Sequence, residues 1–565
     1  MNMQKYLGGN KKNLGLYILF SILTYALVSC VFYTYSWITQ TAVDADISMA
    51  RIVAIICVLL VIALFAFMTI LAFFKRKILE NACKSLRDDI MRKIFRITIP
   101  TFFSEKTSHY SSLLLNDVET IETQFFSNVL ELYGDTIQLL IMFGFIAALG
   151  WQFLLIVLLF SLPSVLQPFA LKGRLGAAGQ VVSEHLGIYT EKVREYITNF
   201  ETIKMFGKAE VFSTKFSKDV NELEKKRKKE FMLKALNFTM VMLSVYFLKV
   251  GTQIYFVNSA LNGMITVASV TLLFGFANNV GNPMSFILGY LEAINASRAI
   301  RSKFAGFMEL EEDLSESSEI ISFEDGVSFE NVKFAYEDMV VPVLDDLTMT
   351  FTRGHKHLIL GKSGSGKSTI FKLLMGYYPN YDGAIRFGKT DLREISQKSL
   401  WETMAVIHQN IFVFSGTIRD NITLFDEQYT DDQVMEVIQK SHIADLIASL
   451  PRGIYTEIAE GGTNFSGGEK QRLSIARALL ANKEILLVDE GMSALDNLTA
   501  YEVENTLLAS DKTIIAISHQ IRPNARGYDS ITVLEKGRLA VCGTYDELMK
   551  SNDYFRTYVN EMDCT

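Results

Sequence analysis

One stretch decides the fold of this chain's second half: Gly361-Lys362-Ser363-Gly364-Ser365-Gly366-Lys367-Ser368. It fits the P-loop pattern, in which two glycines at a fixed spacing are followed by Lys and Ser. An apolar run at 358–360 precedes it as a predicted strand, and a predicted helix at 369–375 follows. Glycines let backbone N–H groups wrap a phosphate, and a helix N-terminus favours an anion. The stretch therefore predicts a site for a nucleoside triphosphate.

Two side chains of the P-loop have separate expected roles. Lys367 should reach the β- and γ-phosphates, and Ser368 should hold Mg²⁺. The residues predicted to bind the phosphates are Gly361, Ser363, Gly364, Gly366, Lys367, Ser368 and Thr369.

A second signal lies downstream at 485–490, where an apolar run ends in Asp489 and Glu490. Alone it is weak, because buried strands often end in acids. After a P-loop, it indicates that Asp489 orients Mg²⁺ and that Glu490 polarises the attacking water as general base. The alternative for Glu490 is a surface acid at a strand end.

A third signal lies between these two, at 464–472, ahead of a helical run at 473–480. Ser466, Gly467 and Gly468 at a helix start form another element suited to a phosphate. One P-loop needs only one such cradle. The second one is therefore expected to serve a different nucleotide.

The first half of the chain is apolar. Hydrophobic residues make up 49 % of the whole sequence, and the mean hydropathy is +0.21. Runs of about 20 apolar residues can cross a membrane. Six runs qualify: 14–38, 52–74, 129–149, 153–171, 235–261 and 265–287. The first is too long for a signal peptide and is soon followed by another, so we predict a six-helix, all-α membrane domain.

Charge and cysteine content exclude other classes. The net charge of −7 argues against a nucleic-acid-binding protein, which usually carries a basic domain. The five cysteines are Cys30, Cys57, Cys83, Cys542 and Cys564. They share no ligand-like spacing, so we expect free thiols, with no disulfide framework and no zinc site.

Lysine and arginine predict the orientation in the membrane. The N-terminal tail and the segments 75–77 and 225–229 are basic, whereas the link at 39–50 carries no Lys or Arg. Both termini are therefore expected on the cytoplasmic side of the cell membrane. The basic run at 225–229 is best explained as a solvated helix face beside anionic lipid headgroups, so membrane lipid is an expected partner.

The composition also predicts domain boundaries. The segments 77–122 and 172–233 are polar and helical in pattern, so the membrane helices should extend into the cytoplasm. We assign 1–310 to the membrane domain and the acidic 311–324 to a linker. Residues 325–565 alternate short β-rich and helical runs, which predicts an α/β domain with a largely parallel sheet.

Taken together, these motifs resemble the ATP-binding cassette (ABC) transporters, and they occur in that family's order. The signature sequence is matched by 465–469, the Q-loop glutamine by Gln409, the D-loop by 493–496, the switch histidine by His519 and the adenine-stacking aromatic by Tyr336. The membrane half resembles the exporter-type domain, with coupling regions at 102–119 and 200–204. The first 13 residues are too few for a peptidase domain, so none is expected ahead of the spans.

The resemblance implies a half-transporter that pairs with a second half-transporter chain, identical or different. Two ATP molecules would lie between two cassettes, each with Mg²⁺. Glu490, His519 and Gln409 would be catalytic, and Ser368, Gln409 and Asp489 would hold the metal ion. The residues expected to contact the partner's ATP are Ser466, Gly467, Gly468 and Glu469. Glu469 stands where most members have Gln.

The transported substrate is less defined by the sequence. Lys249 lies inside the fifth predicted span, with Glu131 and Asp135 as possible partners. It either forms a salt bridge or hydrogen-bond cluster between helices, or faces a cavity for anionic or amphipathic cargo. The leading function is ATP-driven export of an amphipathic small molecule, lipid or peptide. The alternatives are siderophore-type import, or a non-transporting ATP-gated channel or sensor.

Overall fold

This computed structural model describes residues 3–9, 11–310, 312, 323–336, 339, 341–409 and 411–563. Two compact units are present, Met1–Phe95 with Glu105–Leu310, and Arg96–Ser104 with Glu311–Thr565. Most of the predicted linker and Cys564 lie outside the described residues, and the boundaries 1–310, 311–324 and 325–565 remain predictions.

The first unit is built from long helices. The helices up to residue 310 are α1 (Gln4–Gly8), α2 (Lys11–Val43), α3 (Ile47–Ile94), α4 (Ile99–Ser104), α5 (Thr107–Ser112), α6 (Val118–Ile121), α7 (Ser127–Leu149), α8 (Trp151–Thr198), α9 (Phe200–Met205), α10 (Ala209–Leu261), α11 (Val267–Asn278), α12 (Gly281–Ala296) and α13 (Arg298–Glu309). Of these, α4 is grouped with the second unit. The stretch 200–204, predicted as a coupling region, lies within α9.

By length and composition, four helical segments in the described part of the chain can cross a membrane: Lys11–Val43, Ile47–Ile94, Thr107–Leu149 and Ala209–Leu261. The third joins α5, α6 and α7 through two π-helical turns. A shorter apolar stretch, Trp151–Gln167, opens α8 where the fourth span is predicted. The long polar continuations of α3, α8 and α10 match the predicted extensions beyond the apolar runs.

The sixth predicted span, 265–287, is divided between α11 and α12. Pro283 has no N–H group, so it cannot donate the helical hydrogen bond to the carbonyl of Asn279, four residues earlier. Gln138 of α7 satisfies this carbonyl instead, with its Nε2 donating to the Asn279 oxygen at 3.0 Å. The interruption is therefore supported by a side chain from another helix.

The second unit contains the strands β1 (Val327–Phe334), β2 (Leu344–Phe351), β3 (Lys356–Leu360), β4 (Asp382–Phe387), β5 (Thr390–Asp391), β6 (Met404–Ile407), β7 (Gly416–Thr417), β8 (Glu457–Ile458), β9 (Ile485–Asp489), β10 (Thr513–Ser518), β11 (Ser530–Glu535) and β12 (Arg538–Gly543). Its further helices are α14 (Lys367–Leu374), α15 (Gln397–Thr403), α16 (Ile418–Thr423), α17 (Asp431–Lys440), α18 (Ala444–Ser449), α19 (Gly467–Leu480), α20 (Asn497–Leu508), α21 (Tyr545–Ser551) and α22 (Asp553–Asp563).

The strands in the described part of this unit form three sheets. The largest has the order β12-β11-β3-β10-β9-β6 and is parallel apart from β12. All five residues of β3 are buried, as expected for a parallel strand covered on both faces. The second sheet is antiparallel and has four strands in the order β2-β1-β4-β5. The third sheet is the short antiparallel pair β7-β8. The prediction of an α/β domain after an all-α membrane domain is confirmed.

The register of the parallel strands positions the site. Leu360 of β3 pairs with Ser518 of β10, and Ile517 of β10 pairs with Asp489 of β9. On the far side of β9, Ile407 of β6 pairs with Val488. The carboxyl ends of four neighbouring strands therefore lie side by side, where α/β sheets place their ligands.

Candidate nucleotide site

The P-loop connects β3 to α14 and depends on close backbone approach. Gly366 has a φ of +101°, and a Cβ there would lie 2.7 Å from Leu344 Cδ2. A Cβ on Gly361 would lie 2.5 Å from the Ser365 hydroxyl oxygen. Both positions therefore require glycine, which explains the spacing in the sequence.

Lys367 lies at the start of α14 with its ammonium group turned onto the loop. Its Nζ donates to the carbonyl oxygens of Gly361, at 2.6 Å, and of Lys362, at 3.1 Å. Burial lowers the pKa of Lys367, while the carboxylates of Glu490 and Asp489 act in the opposite direction. The cation is thus held at the centre of the cradle, facing the two acids that were predicted to share its site.

Asp489 and Glu490 occupy the end of β9. Burial raises the pKa of Asp489, and Glu490 adds to this, while Lys367 lowers it. Glu490 adopts a left-handed conformation with φ of +50°, and its N–H donates to the Ile517 carbonyl of β10 at 3.1 Å. A non-glycine residue in this region carries strain, which commonly marks a functional position.

The Glu490 carboxylate is held from both sides. Gln409, two residues after β6, donates from Nε2 to Glu490 Oε2 at 2.6 Å. His519, directly after β10, places Nδ1 at 3.4 Å from Glu490 Oε1. Three residues that were predicted from separate motifs are therefore brought together at one carboxylate.

An open cleft of about 1020 Å³ lies above the P-loop. Its lining includes all the predicted phosphate-binding residues of 361–369, together with Gln409, Glu490 and His519. Lys362, Ser365, Val343 and Gln520 also line it and were not predicted. Gln520 could have been predicted to line the cleft, because it follows the candidate switch histidine His519 in the sequence. Val343 carries no motif, and it reaches the site because its carbonyl lies beside Gly366.

Tyr336, the predicted adenine-stacking residue, lies beside α14. Its hydroxyl is 3.1 Å from the Thr369 hydroxyl. Phe334 and Tyr378 contact its ring edge-on, and Lys372 Nζ lies 5.4 Å from the ring centroid. These contacts hold the aromatic ring against the side of α14.

The predicted signature residues form a capped helix start outside the cleft. Ser466 caps α19, its side chain accepting from the Glu469 N–H at 3.3 Å, and Glu469 Oε2 accepts from the Ser466 N–H at 2.7 Å. A Cβ on Gly468 would lie 3.0 Å from the Ala494 carbonyl of the predicted D-loop. Glu469 therefore has a local role, which is to complete the cap.

This capping box yields a stability prediction. Ser466→Ala should lower the melting temperature of the cassette by about 2–4 °C, because losing an N-cap costs about 1 kcal/mol. Glu469→Gln should have a smaller effect, because an amide oxygen can still accept from the Ser466 N–H. Differential scanning fluorimetry of the purified chain would measure both, and an equal loss in the two variants would contradict the prediction.

The predicted metal ligands have donor atoms that suit Mg²⁺, and two of them, Ser368 and Gln409, line the cleft. The predicted ligands are the Ser368 hydroxyl, the Gln409 amide and the Asp489 carboxylate, which are oxygen donors of the kind that this ion prefers. In the described part of the chain, no group of three His, Cys, Asp or Glu side chains could hold a metal ion. Mg²⁺ commonly completes its shell with water and substrate phosphates, so these residues fit the ion in the presence of a nucleotide.

Comparison with known proteins identifies the family. The family model for the ABC transporter transmembrane region matches residues 14–284, that for the ABC transporter domain matches 344–493, and a P-loop domain model matches 427–561. An ATP-dependent lipid A-core flippase of Methylobacillus flagellatus is 26 % identical over 487 residues, 85 % of this chain and 81 % of that protein. A multidrug resistance ABC transporter ATP-binding and permease protein of Lactococcus lactis is 25 % identical over 489 residues, covering 85 % and 82 %.

A solved structure shares the fold over nearly the whole length. A bacterial Atm1-family ABC exporter with ATP bound superposes with a TM-score of 0.82 at 23 % identity, covering 97 % of this chain and 98 % of that one. The family models match both halves of the chain, and the chain belongs to the ABC transporters. It is a multi-pass membrane ATPase with the exporter-type arrangement of one membrane domain and one ATP-binding domain.

Proposed function

We propose that this chain is one half of an ATP-driven exporter of an amphipathic small molecule, lipid or peptide. The observation that supports its ATPase chemistry most directly is the Glu490 carboxylate, held between Gln409 and His519 above the P-loop. A carboxylate oriented from both sides is suited to position and polarise one water molecule.

The proposed mechanism assigns a task to each group. Lys367 and the backbone N–H groups of 361–369 bind the phosphates of ATP, and Lys367 leaves its carbonyl contacts to do so. Glu490 accepts a proton from the attacking water, while Gln409 and His519 keep its carboxylate aligned. Ser368, Gln409 and Asp489 would hold Mg²⁺, which neutralises charge on the phosphate oxygens.

A second chain is part of this proposal. Ser466 and Gly468 sit at a helix N-terminus that suits a phosphate, yet they lie outside the cleft formed by their own P-loop. We infer that they contact the ATP of a second half-transporter, identical or different. Closure of two cassettes around ATP, and opening after hydrolysis, would then drive alternating access.

The cargo proposal rests on relatives and on Lys249. The relatives are named for lipid A-core flipping and for multidrug resistance, so we propose an amphipathic cargo. The possible partners of Lys249 are otherwise engaged: Glu131 pairs with Lys75, and Asp135 faces Tyr290. Lys249 lies 5.6 Å from the ring centroid of Tyr246 on its own helix. This supports the cargo-facing interpretation over a salt bridge between helices.

Lys249→Ala should therefore alter transport without altering folding. We expect transport of anionic amphipathic compounds to fall severalfold. A charged side chain inside the membrane is costly, and such residues commonly mark a substrate pathway. Lys228→Ala, in the exposed basic segment, is the matched control. Unchanged transport of every tested cargo by a well-expressed Lys249→Ala protein would contradict this part of the proposal.

Direction requires vesicles of defined sidedness. In inside-out vesicles, added ATP should drive a fluorescent amphipathic cargo into the lumen, and a tag at either terminus should be cleaved by external protease. ATP-dependent loss of cargo from these vesicles would indicate import. Ion currents that persist without hydrolysis would indicate a channel or sensor.

A further inference from the structure

A small cavity, partly open to solvent, lies beside the candidate catalytic carboxylate. It has a volume of about 40 Å³, and its lining includes Glu490, Met492, Glu504, Arg522 and Tyr528. A site needs roughly 10–15 Å³ of this kind of volume and several polar partners to hold one water molecule. The cavity therefore has room for one or two buried waters if its walls offer unsatisfied polar groups.

Glu504 of α20 supplies one such group. It is only 8 % exposed, and its Oε1 accepts from the Tyr528 hydroxyl at 2.8 Å. Its Oε2 is buried and has no hydrogen-bond partner among the described residues. Burial raises the pKa of Glu504, whereas the Tyr528 hydrogen bond and the nearby Arg522 lower it. A buried carboxylate of this kind needs compensation from a cation or donor.

Arg522, which lines the same cavity, supplies the matching group. Its Nη2 donates to the Met492 carbonyl at 3.0 Å, and its Nη1 is buried without a partner in the described structure. Arg522 follows His519 by three residues, and Met492 follows Glu490 by two. One guanidinium group thus joins the segment after the candidate switch histidine to the segment after the candidate general base.

We propose that Arg522, balanced by Glu504 across this cavity, is a positioning residue for ATP hydrolysis. A water molecule between Arg522 Nη1 and Glu504 Oε2 satisfies both unpaired groups. The resulting Glu504–Arg522 pair holds the Met492 carbonyl and thereby keeps Glu490 and His519 at the distance that their shared contact requires. The inference rests on the proposed roles of Glu490 and His519.

The test uses the full-length transporter in lipid nanodiscs with Arg522→Gln and Glu504→Gln. Each variant should lower kcat for ATP hydrolysis about tenfold or more, because misplacing a catalytic group by about 1 Å can cost about a hundredfold in rate. The KM for ATP should stay within about twofold, because the P-loop contacts are not touched. Glu502→Gln is the matched control, since Glu502 lies on the same helix and pairs outward with His442 at 3.4 Å.

A second measurement separates positioning from a general loss of structure. In single-turnover reactions, adding Arg522→Gln to Glu490→Gln should cost less than about twofold further, because residues that act through one group are not additive. Multiplicative losses, or Arg522→Gln behaving like Glu502→Gln, would overturn the proposal. Arg522 is half-buried, so we expect Arg522→Gln to fold. This variant therefore tests the positioning role even where Glu504→Gln does not fold.

The same variants distinguish an error in the proposed function from an error in the proposed positioning role. If the Glu490→Gln variant hydrolyses ATP at the wild-type rate, the assignment of Glu490 as general base in the proposed function is wrong. If Glu490→Gln is inactive while Arg522→Gln and Glu504→Gln match the control, only the positioning role is wrong.

Discussion

Glu490→Gln is expected to bind ATP with unchanged affinity and to hydrolyse it at least about a hundredfold more slowly. The amide keeps the size of the carboxylate, and its oxygen can still accept from Gln409 Nε2, which reaches Glu490 at 2.6 Å in the present structure. It cannot accept a proton from water at neutral pH, and general base catalysis contributes about 10²–10⁴-fold. Phosphate release and fluorescent-nucleotide binding would measure the two quantities separately.

The control for this variant is Glu484→Gln. Glu484 precedes β9, at the strand end opposite Glu490, and pairs with Arg353 at 3.2 Å on the surface. Exposed ion pairs contribute little, so this change should leave hydrolysis as it is. Near wild-type turnover by a preparation that contains only the Glu490→Gln chain would contradict the assignment.

Lys367→Ala is expected to weaken ATP binding, the step that precedes hydrolysis. Truncating one partner of a buried charge pair costs about 2–5 kcal/mol. At 1.4 kcal/mol per tenfold, this weakens ATP binding by at least about thirtyfold. The change also removes the cation that faces Asp489 and Glu490, so both the ligand's phosphates and these carboxylates lose compensation. Titration with a fluorescent ATP analogue would measure the loss.

Lys398→Ala, at an exposed position on α15, removes the same charge away from the site and should bind ATP normally. A Lys367→Ala chain that binds ATP as tightly as this control would show that the cradle's backbone N–H groups suffice. The Glu490 and Lys367 variants together distinguish loss of chemistry from loss of binding.

The sequence motifs indicate candidate site residues but not how those residues are arranged. The P-loop could be identified because glycine spacing, Lys367 and Ser368 lie within one short stretch. The contacts of Glu490 with Gln409 and His519 depend on strands that are distant in sequence, and their order in the sheet follows from no local pattern. Glu504 and Arg522 belong to no motif, and only the fold brings them to one cavity.

Two further hydrogen bonds were not predicted from the sequence. Pro283 was visible in the sixth span, but the break there depends on Gln138, which belongs to another helix. Glu469 was expected to serve a partner's ATP, and its hydrogen bond to the Ser466 N–H adds a role in the helix cap. In both cases the deciding group is a backbone carbonyl or N–H, and its partner is a side chain, from another helix for Asn279 and from the same helix start for Ser466.

The side-by-side strand ends have a consequence for how this chain tolerates insertions and deletions. The connection from β6 to β9 leaves and re-enters the sheet at fixed points, so residues can be added in its surface loops without moving Gln409 or Glu490. A single-residue deletion within β9 would be different, because side chains alternate between the faces of a strand. It would turn Glu490 away from its partners, so the strands have a fixed length while the intervening loops are free to vary.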